Sequence, residues 1–507
     1  MNHIKRCLLF LAISFPLSLF ALASIGYGQT PSKGKAFEAI DRNKAEIAKV
    51  GDAIYYFAEL GMQEIETSKL CAEVLKSMGY KVETGISGFP TAIMATYGSG
   101  EPVIAVHMEY DAIPSVSQTP GVVERREIVK GAPGHAEGHN TNAAVWIGAA
   151  FAVKEAIDKR SLRGTIKLFS APAEEQLVSR PFFVRDGYFK DVDASFHPHV
   201  SVGLFAAYGL RQYALMSVEY EFFGKTTHSS RSPWLGASAV DAVKIMDNGW
   251  DVLRKHLRPT QRSYSVILSG GVQPNVVPDY GKIWFFFREA TYEGANDLYV
   301  KAKKIAEGAA LMTGTTWKET ILSACWPTRD NQTMAEIVKS NMDLVGMPAW
   351  TPEEQTLAKA IQKAAGVKET GLFTRVAPLR EARQDMSSND SGDITWTTPH
   401  AEINFPSNIP GMQWHHWTAG IATATSIAHK GEVAGAKVLA GSIIDLLTKP
   451  ELLAKAKETF KKEVESATYR PLLPPDQKPP LTLNVEEMAK YRDLMRPHYL
   501  RVPIQFK

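Results

Sequence analysis

The strongest constraint on what this chain can fold into is a set of short apolar runs at residues 92–97, 103–107, 165–170 and 194–196, set among stretches of helical character. Runs of that length and composition are strand candidates. Alternation with helices from residue 35 to about 208 predicts an α/β fold, a mostly parallel sheet with helices on its faces. The runs lead into Glu109 and Asp111, into Glu174 and Glu175, and into His197 and His199. Ligand sites in such sheets lie at the carboxyl ends of strands, so the three polar clusters predict one pocket.

Between about residues 210 and 326 the rhythm changes to strand 211–223, helix 236–257, strands 263–269 and 281–289, helix 293–313 and strand 316–325. That βαββαβ order is a ferredoxin-like unit and predicts an inserted lid domain. Helical character resumes at Met334, and a long Ala-rich helix is predicted over 422–447. The predicted organisation is therefore a catalytic domain in two segments, 35–209 and 328–449, a lid at 210–327, and a helical, Pro-rich extension at 450–507. The extension is expected to be a surface appendage or docking arm.

A length of 507 residues accommodates two or three domains, and 45% hydrophobic with 22% charged residues is a globular composition. The start differs. Lys5 and Arg6 precede an apolar run at 7–25, interrupted by Pro16 and ending in small residues, which predicts a signal peptide over 1–28 with cleavage near Ala23 or Gly28 rather than a retained anchor. The protein is expected to be exported, periplasmic or secreted, with no stable membrane insertion after cleavage. Loss of that segment removes two cations and no acid, taking the formal charge from +3 to +1, which gives nucleic acid no support as a partner. Only Cys71 and Cys325 then remain, too few for a Cys-rich zinc module, and able to form at most one disulfide.

Glu137 and His139 stand two apart in the Gly-flanked turn Gly134-His135-Ala136-Glu137-Gly138-His139-Asn140, with Asn140 placed to cap a helix from about Thr141. Glu174 and Glu175 directly follow an apolar run. Adjacent side chains diverge, so one carboxylate can hold a cation while the other serves as general base. With His197-Pro198-His199 and His415-His416, these are hard and borderline ligands suited to zinc, manganese or cobalt.

The ordered motifs 109–114 (EYDAIP), 134–140 (GHAEGHN), 173–175 (AEE), 197–198 (HP), 226–230 (TTHSS), 274–278 (PNVVP) and 415–417 (HHW) resemble the aminoacylase and carboxypeptidase-G type of metallopeptidase, on the p-aminobenzoyl-glutamate hydrolase branch. The resemblance spans about residues 40–448. It implies two divalent metals, and a lid that also forms a homodimer. It implies Glu174 as general base, with Glu175, Glu137, His139, His197 and His415 as metal ligands. Asp111 is similar to the acid that orients a ligand, and His228 to a lid histidine that reaches the neighbouring site and stabilises an oxyanion. Asn275 and Arg288 resemble lid groups that grip substrate, Arg288 through its bidentate fork. Glu137 departs from the branch, where cysteine is usual. In the pairs His197/His199 and His415/His416 the first member fits the family spacing and both members can bind metal.

The implied activity is hydrolysis of an amide bond in an N-acyl or N-aroyl amino acid, p-aminobenzoyl-glutamate-like, or in a short peptide, by metal-activated water; a dipeptidase or carboxypeptidase of the same fold is the alternative. Other classes fare worse. His135-Ala136-Glu137 begins a zinc-deaminase signature, but the later Cys pair is missing. No Gly-x-Ser-x-Gly elbow occurs. A catalytically silent exported peptide-binding protein would account for the departure at Glu137, but has no need of Glu174.

Overall fold

The computed structural model describes residues 30–160, 162–465 and 467–507; the expected signal peptide lies outside the described residues. Six strands form the larger sheet: β1 (Lys81–Thr84), β2 (Ile93–Ser99), β3 (Val103–Met108), β4 (Gly164–Ser170), β5 (Ala194–Ser201) and, far along the chain, a last strand at His400–Pro406. Their spatial order is β1-β2-β4-β3-β5 and then His400–Pro406. The β4-β3, β3-β5 and β5 to His400–Pro406 pairings are parallel, while β1-β2 and β2-β4 are antiparallel. The sheet is thus mixed, with three of these five pairings parallel as expected: β1 and β2 form an antiparallel wing, and the parallel part carries the polar clusters.

Two-residue alternation separates the faces of this sheet. Ile104, Val106, Ile166 and Leu168 point into one apolar core, with the helices Pro31–Arg42, Lys44–Phe57, His139–Arg160 and Ser426–Thr448, while Ala105 and Phe169 point into a second, with Phe89, Phe182 and Phe183. The helix Ser426–Thr448 is buried along most of its length, as its Ala- and Gly-rich sequence allows. The helix after the glycine turn begins at His139, two residues earlier than expected. Asn140 does not cap it: its amide donates to Gly51 O (3.1 Å) and Thr423 O (2.7 Å), tying the turn to two other segments.

The smaller sheet contains β7 (Ala214–Phe223), β8 (Arg262–Ser269), β9 (Tyr280–Glu289) and β10 (Thr316–Cys325) in the order β10-β7-β9-β8, all neighbours antiparallel. The helices Ala239–Arg254 and Tyr292–Thr313 share its core, giving the element order βαββαβ. Its first strand starts at Ala214 rather than 211 because the preceding residues form β6 (Ala207–Leu210), which joins β11 (Arg329–Asp330) and β12 (Arg380–Glu381) in a small third sheet. In chain order His400–Pro406 is β13. The whole is a multi-domain α/β fold.

The C-terminal extension is a strap packed against the body. Leu473 and Met488 are buried. Tyr469 donates to Asp393 Oδ1 (2.8 Å), Arg185 to the carbonyls of Pro474 and Gln477, Arg492 to Glu59 Oε1 (2.6 Å), and Lys507 N to Asn43 Oδ1 (2.7 Å). Cys71 and Cys325 are buried free thiols. No helix among the described residues is long and apolar enough to cross a membrane.

One buried acid carries a pH signature. Glu432, within the helix Ser426–Thr448, is fully buried and neither carboxylate oxygen has a hydrogen-bond partner among the described residues. Burial, with the nearby charge of Asp52, pushes its carboxyl well above the ordinary 4.5. The folded chain then holds this proton more tightly than the unfolded chain. Its contribution to stability is fully present below pH 4.5 and is lost as pH rises toward the folded value. Glu432→Gln, which stays neutral, is expected to exceed the parent in stability by about 1–3 kcal/mol near neutral pH. Urea unfolding near pH 4.5 and near neutrality checks this: the gain vanishes at the lower pH.

Candidate active site

Glu109 and Asp111 emerge just beyond β3, Glu174 and Glu175 just beyond β4, and the glycine turn delivers Glu137 and His139 to the same end of the sheet. His139 is the hub. Its Nδ1 lies 3.3 Å from Asp111 Oδ1, and its Nε2 lies 3.8 Å from Glu174 Oε2 and 4.0 Å from Glu109 Oε1. His199 Nε2 is 3.4 Å from Glu109 Oε1 and 3.6 Å from Glu137 Oε1. His415 Nε2 is 3.2 Å from Glu137 Oε2 and 3.3 Å from Glu175 Oε2. Three groups of candidate ligand atoms result, each within 4.8 Å of one another: Glu109-His139-His199, Glu137-Glu175-His415 and His139-Glu174-Glu175.

Strained backbone holds this arrangement. Ala173 (φ 58°) and Leu177 (φ 60°) flank the Glu174-Glu175 pair in the left-handed region, and His415 itself has φ 63°. Such conformations cost free energy for residues with a Cβ and persist where the surroundings enforce them. For Ala173 the enforcing contact is its N–H, which donates to buried Glu64 Oε1 (2.9 Å).

The charge balance requires a cation. Five carboxylates converge here, and among the described residues the one arginine or lysine paired to them is Arg180, on Glu109. Burial, together with the Glu109 charge, pushes Glu174 well above the usual carboxylate range, and burial also pushes Glu175 up to about 8. Burial opposes charge on His139, yet Asp111, Glu109, Glu175 and Glu137 outweigh it and raise its pKa well above the ordinary value. His139 Nε2, Asp111 Oδ1 and Glu175 Oε1 are buried without hydrogen-bond partners among the described residues. Unpartnered nitrogen and oxygen donors in an acid-rich cluster fit divalent cations, and the His and Glu groups point to a dinuclear metal site.

The expected residues do not all meet here. Glu137, His139, Glu174, Glu175 and His415 do, with Asp111 beside His139. His197 does not join a candidate ligand group among the described residues; His199 takes that place. The reason is register. β5 runs on through both histidines to Ser201, paired with β13, so His197 and His199 point to one face. His197 lies behind Glu109 (2.8 Å) and stacks on His107 (4.8 Å between centroids), whereas His199 is one rung further along and reaches the open cavity. His416 turns to Thr418 Oγ1 (2.9 Å), away from the cluster. Arg288 lines the same cavity of about 440 Å³ as Glu137, Glu174 and His415. His228 and Asn275 do not. They face each other's loops, with Ser229 N donating to Asn275 O (3.1 Å) and His228 Nδ1 accepting from Ser230 N (3.2 Å).

Sequence reasoning assigned no role to Arg180, and placed Asn389 and Asp390 only in a polar loop, 380–400, that shapes substrate choice. Arg180 is fully buried and ion-paired to both Glu109 and Asp390. Asn389 donates to Glu174 Oε1 (2.6 Å). A run of polar residues at 387–390 is the available sequence signal for that loop, but no local pattern marks Arg180.

No family model matches this chain. Among curated proteins it is 31% identical over 471 residues to a component of p-aminobenzoyl-glutamate hydrolase from Escherichia coli (strain K12), covering 87% of this chain and 97% of that one. The chain belongs to the M20 amidohydrolase family of metallopeptidases. Another relative is the Xaa-Arg dipeptidase of Mus musculus, 25% identical over 443 residues, covering 85% of this chain and 92% of that one. A solved structure with the same fold is a dinuclear metal-binding peptidase of the M20 family from Bacillus subtilis, with TM-score 0.50, 17% identity, and coverage of 80% of this chain and 99% of that one. Like its relatives, this family member is a metal-dependent hydrolase of amide or peptide bonds.

Arg180→Met leaves Glu109 and Asp390 as buried charges without their partner, and is expected to destabilise the fold by about 3–5 kcal/mol. Chemical unfolding measures the loss; Arg180→Lys, lacking the fork that reaches both acids, is expected to recover only part of it.

Proposed function

We propose that this chain is an exported two-metal amidohydrolase of the p-aminobenzoyl-glutamate hydrolase branch, cutting the amide of an N-acyl or N-aroyl amino acid or a short peptide. The observation that carries the reading is the setting of Glu174. Asn389 anchors its Oε1, while its Oε2 points toward His139 Nε2 at 3.8 Å, in one cavity with Arg288.

On this reading Glu109, His139 and His199 hold one metal, and Glu137, Glu175 and His415 the other. Glu137 supplies oxygen where the branch has sulfur, which suits manganese as well as zinc, with cobalt a further option. When bound, such metals supply Lewis acidity and make water nucleophilic near neutral pH. Glu174 takes the proton from water through Oε2 and delivers it to the leaving amine, while Asn389 keeps Oε1 fixed. Asp111 orients His139 through Nδ1. Arg288, whose Nε is buried without a hydrogen-bond partner among the described residues, grips the substrate carboxylate.

The strand order of the smaller sheet supports reading residues 210–327 as a ferredoxin-like lid between two catalytic segments, 35–209 and 328–449. We place His228 and Asn275 at the active site of a second copy in a lid-mediated homodimer. Edge strand β8, with Tyr264, Val266 and Leu268 about half exposed, supports such pairing. The apolar run at 7–25 supports export.

With zinc or manganese supplied, the protein is expected to hydrolyse N-benzoyl amino acids, and Glu174→Gln to lower kcat by about 10²–10⁴-fold with metal content kept. Equal background rates in both proteins would sink the hydrolase reading. A second measurement separates the histidines: by metal analysis, His199→Ala is expected to lose one equivalent, while His197→Ala keeps both and loses stability.

A further inference from the structure

The Glu174-Glu175 turn is held from behind by a segment that lies outside the candidate ligand groups. Ala173, whose left-handed backbone precedes the turn Glu174–Gln176, donates its N–H to Glu64 Oε1 (2.9 Å), and Thr91 Oγ1 donates to Glu64 Oε2 (2.9 Å). Glu64 is fully buried. The approach is close: a Cβ on Gly61 would stand 2.7 Å from Ala173 Cα and 2.8 Å from its Cβ, so only glycine fits there.

Glu64 occupies the N-cap of the helix Ile65–Ser77, where a carboxylate ordinarily accepts from the N–H groups two and three residues on. Its carboxylate turns inward instead, and buried Glu59 takes over the cap: Oε1 accepts from Glu66 N (3.1 Å), and Oε2 from Thr67 N (3.0 Å) and Thr67 Oγ1 (2.9 Å). The C-terminal strap supplies Glu59 with a cation. Arg492, in the strap helix Val485–Met495, donates through Nη1 to Glu59 Oε1 (2.6 Å) and through Nη2 to Gln63 O (2.8 Å). Asn484, also in the strap, donates to Gly61 O (2.9 Å). One acid caps the helix, which leaves the other free to reach Ala173.

We infer that Glu64 is a positioning residue for Glu174, and that the strap keeps it on that task through Arg492 and Glu59. The inference rests on the reading of Glu174 as the base, while the hold on the Ala173 N–H is testable without turnover. Left-handed backbone at Ala173 costs free energy and persists while the Glu64 carboxylate enforces it. Asn389 fixes one oxygen of Glu174 from the cavity, and Ala173 fixes its backbone from the buried side. Glu175 depends less on Glu64, because its own N–H donates to Asp111 Oδ2 (2.9 Å). Loss of Glu64 therefore falls on the base rather than on metal content.

The test uses full-length, metal-loaded protein and an N-benzoyl amino acid. Glu64→Ala is expected to lower kcat by about 10–100-fold with KM and both metal equivalents kept. Glu64→Gln, which keeps an acceptor for the Ala173 N–H, is expected to restore most of that loss. Arg492→Met, which leaves Glu64 in place, is expected to give a smaller loss of the same kind. Added to Glu174→Gln, neither Glu64→Ala nor Arg492→Met lowers the residual rate further. Hydrogen exchange on the peptide spanning 171–178 is expected to be about tenfold faster at Ala173 in Glu64→Ala and unchanged in Glu64→Gln. A merely structural Glu64 would lower stability and leave kcat of the folded, metal-loaded protein intact; that result, or equal losses with and without Glu174, would overturn the positioning role. Should Glu64→Ala not fold, Arg492→Met carries the same test, and unchanged kcat with unchanged exchange at Ala173 would overturn it. No turnover by the parent, with exchange at Ala173 still set by Glu64, removes the hydrolase reading and leaves the hold of Glu64 on the turn standing.

Discussion

Arg180 is the point on which the rest of the site hangs. Fully buried, it pairs with Glu109 beyond β3 and with Asp390 in a loop 210 residues later, while its backbone N–H donates to Asp390 Oδ2 (3.0 Å) and its Nε to His107 Nδ1 (3.1 Å). Buried ion pairs add little net stability, because desolvation offsets their attraction, but they tolerate few alternative geometries. Locking Asp390 also locks its neighbour Asn389 against Glu174. The cation outside the ligand groups thus positions Glu174 inside them, and ties the late loop to the early strands.

Around that anchor the site is held in an electrostatically unfavourable state. Glu109 stays ionised because His197 and Arg180 outweigh the penalty of burial, whereas Glu174 and Glu175, lacking an equivalent partner, are pushed up by burial. Strained backbone at Ala173, Leu177 and His415 prevents these groups from relaxing apart. An acid-rich cluster with unpartnered donors that cannot spread is preorganised for divalent cations, and that preorganisation is assembled from separate stretches of chain.

The smaller sheet and the C-terminal strap meet at the junction beyond β10. Trp326 stacks on Tyr292 (5.0 Å between centroids) and packs on Trp396 (4.8 Å) and Tyr469 (5.5 Å), while its Nε1 donates to Arg470 O (2.9 Å). Residues of the small-sheet helix, the junction, the site-bearing segment and the strap share one aromatic cluster. The Pro-rich stretch, expected as a surface appendage or docking arm, offers its carbonyls to Arg185 and packs its apolar side chains on the core.

What the sequence determined by itself was local in origin. Strand-length apolar runs ending in acids or histidines placed Glu109, Asp111, Glu174 and Glu175 at one sheet end, and the Gly-flanked turn brought Glu137 and His139 toward one another, because backbone period and turn chemistry are written in neighbouring residues. The order of motifs carried the family. Only tertiary structure gave His197 and His199 different surroundings, since both share a face of β5 and what separates them is where β3 stops beside them. It also turned β1 and β2 antiparallel, drew Arg180 and Asn389 into the site, and packed the strap. Each of these is set by a partner tens to hundreds of residues away, and no local pattern encodes the identity of a distant partner.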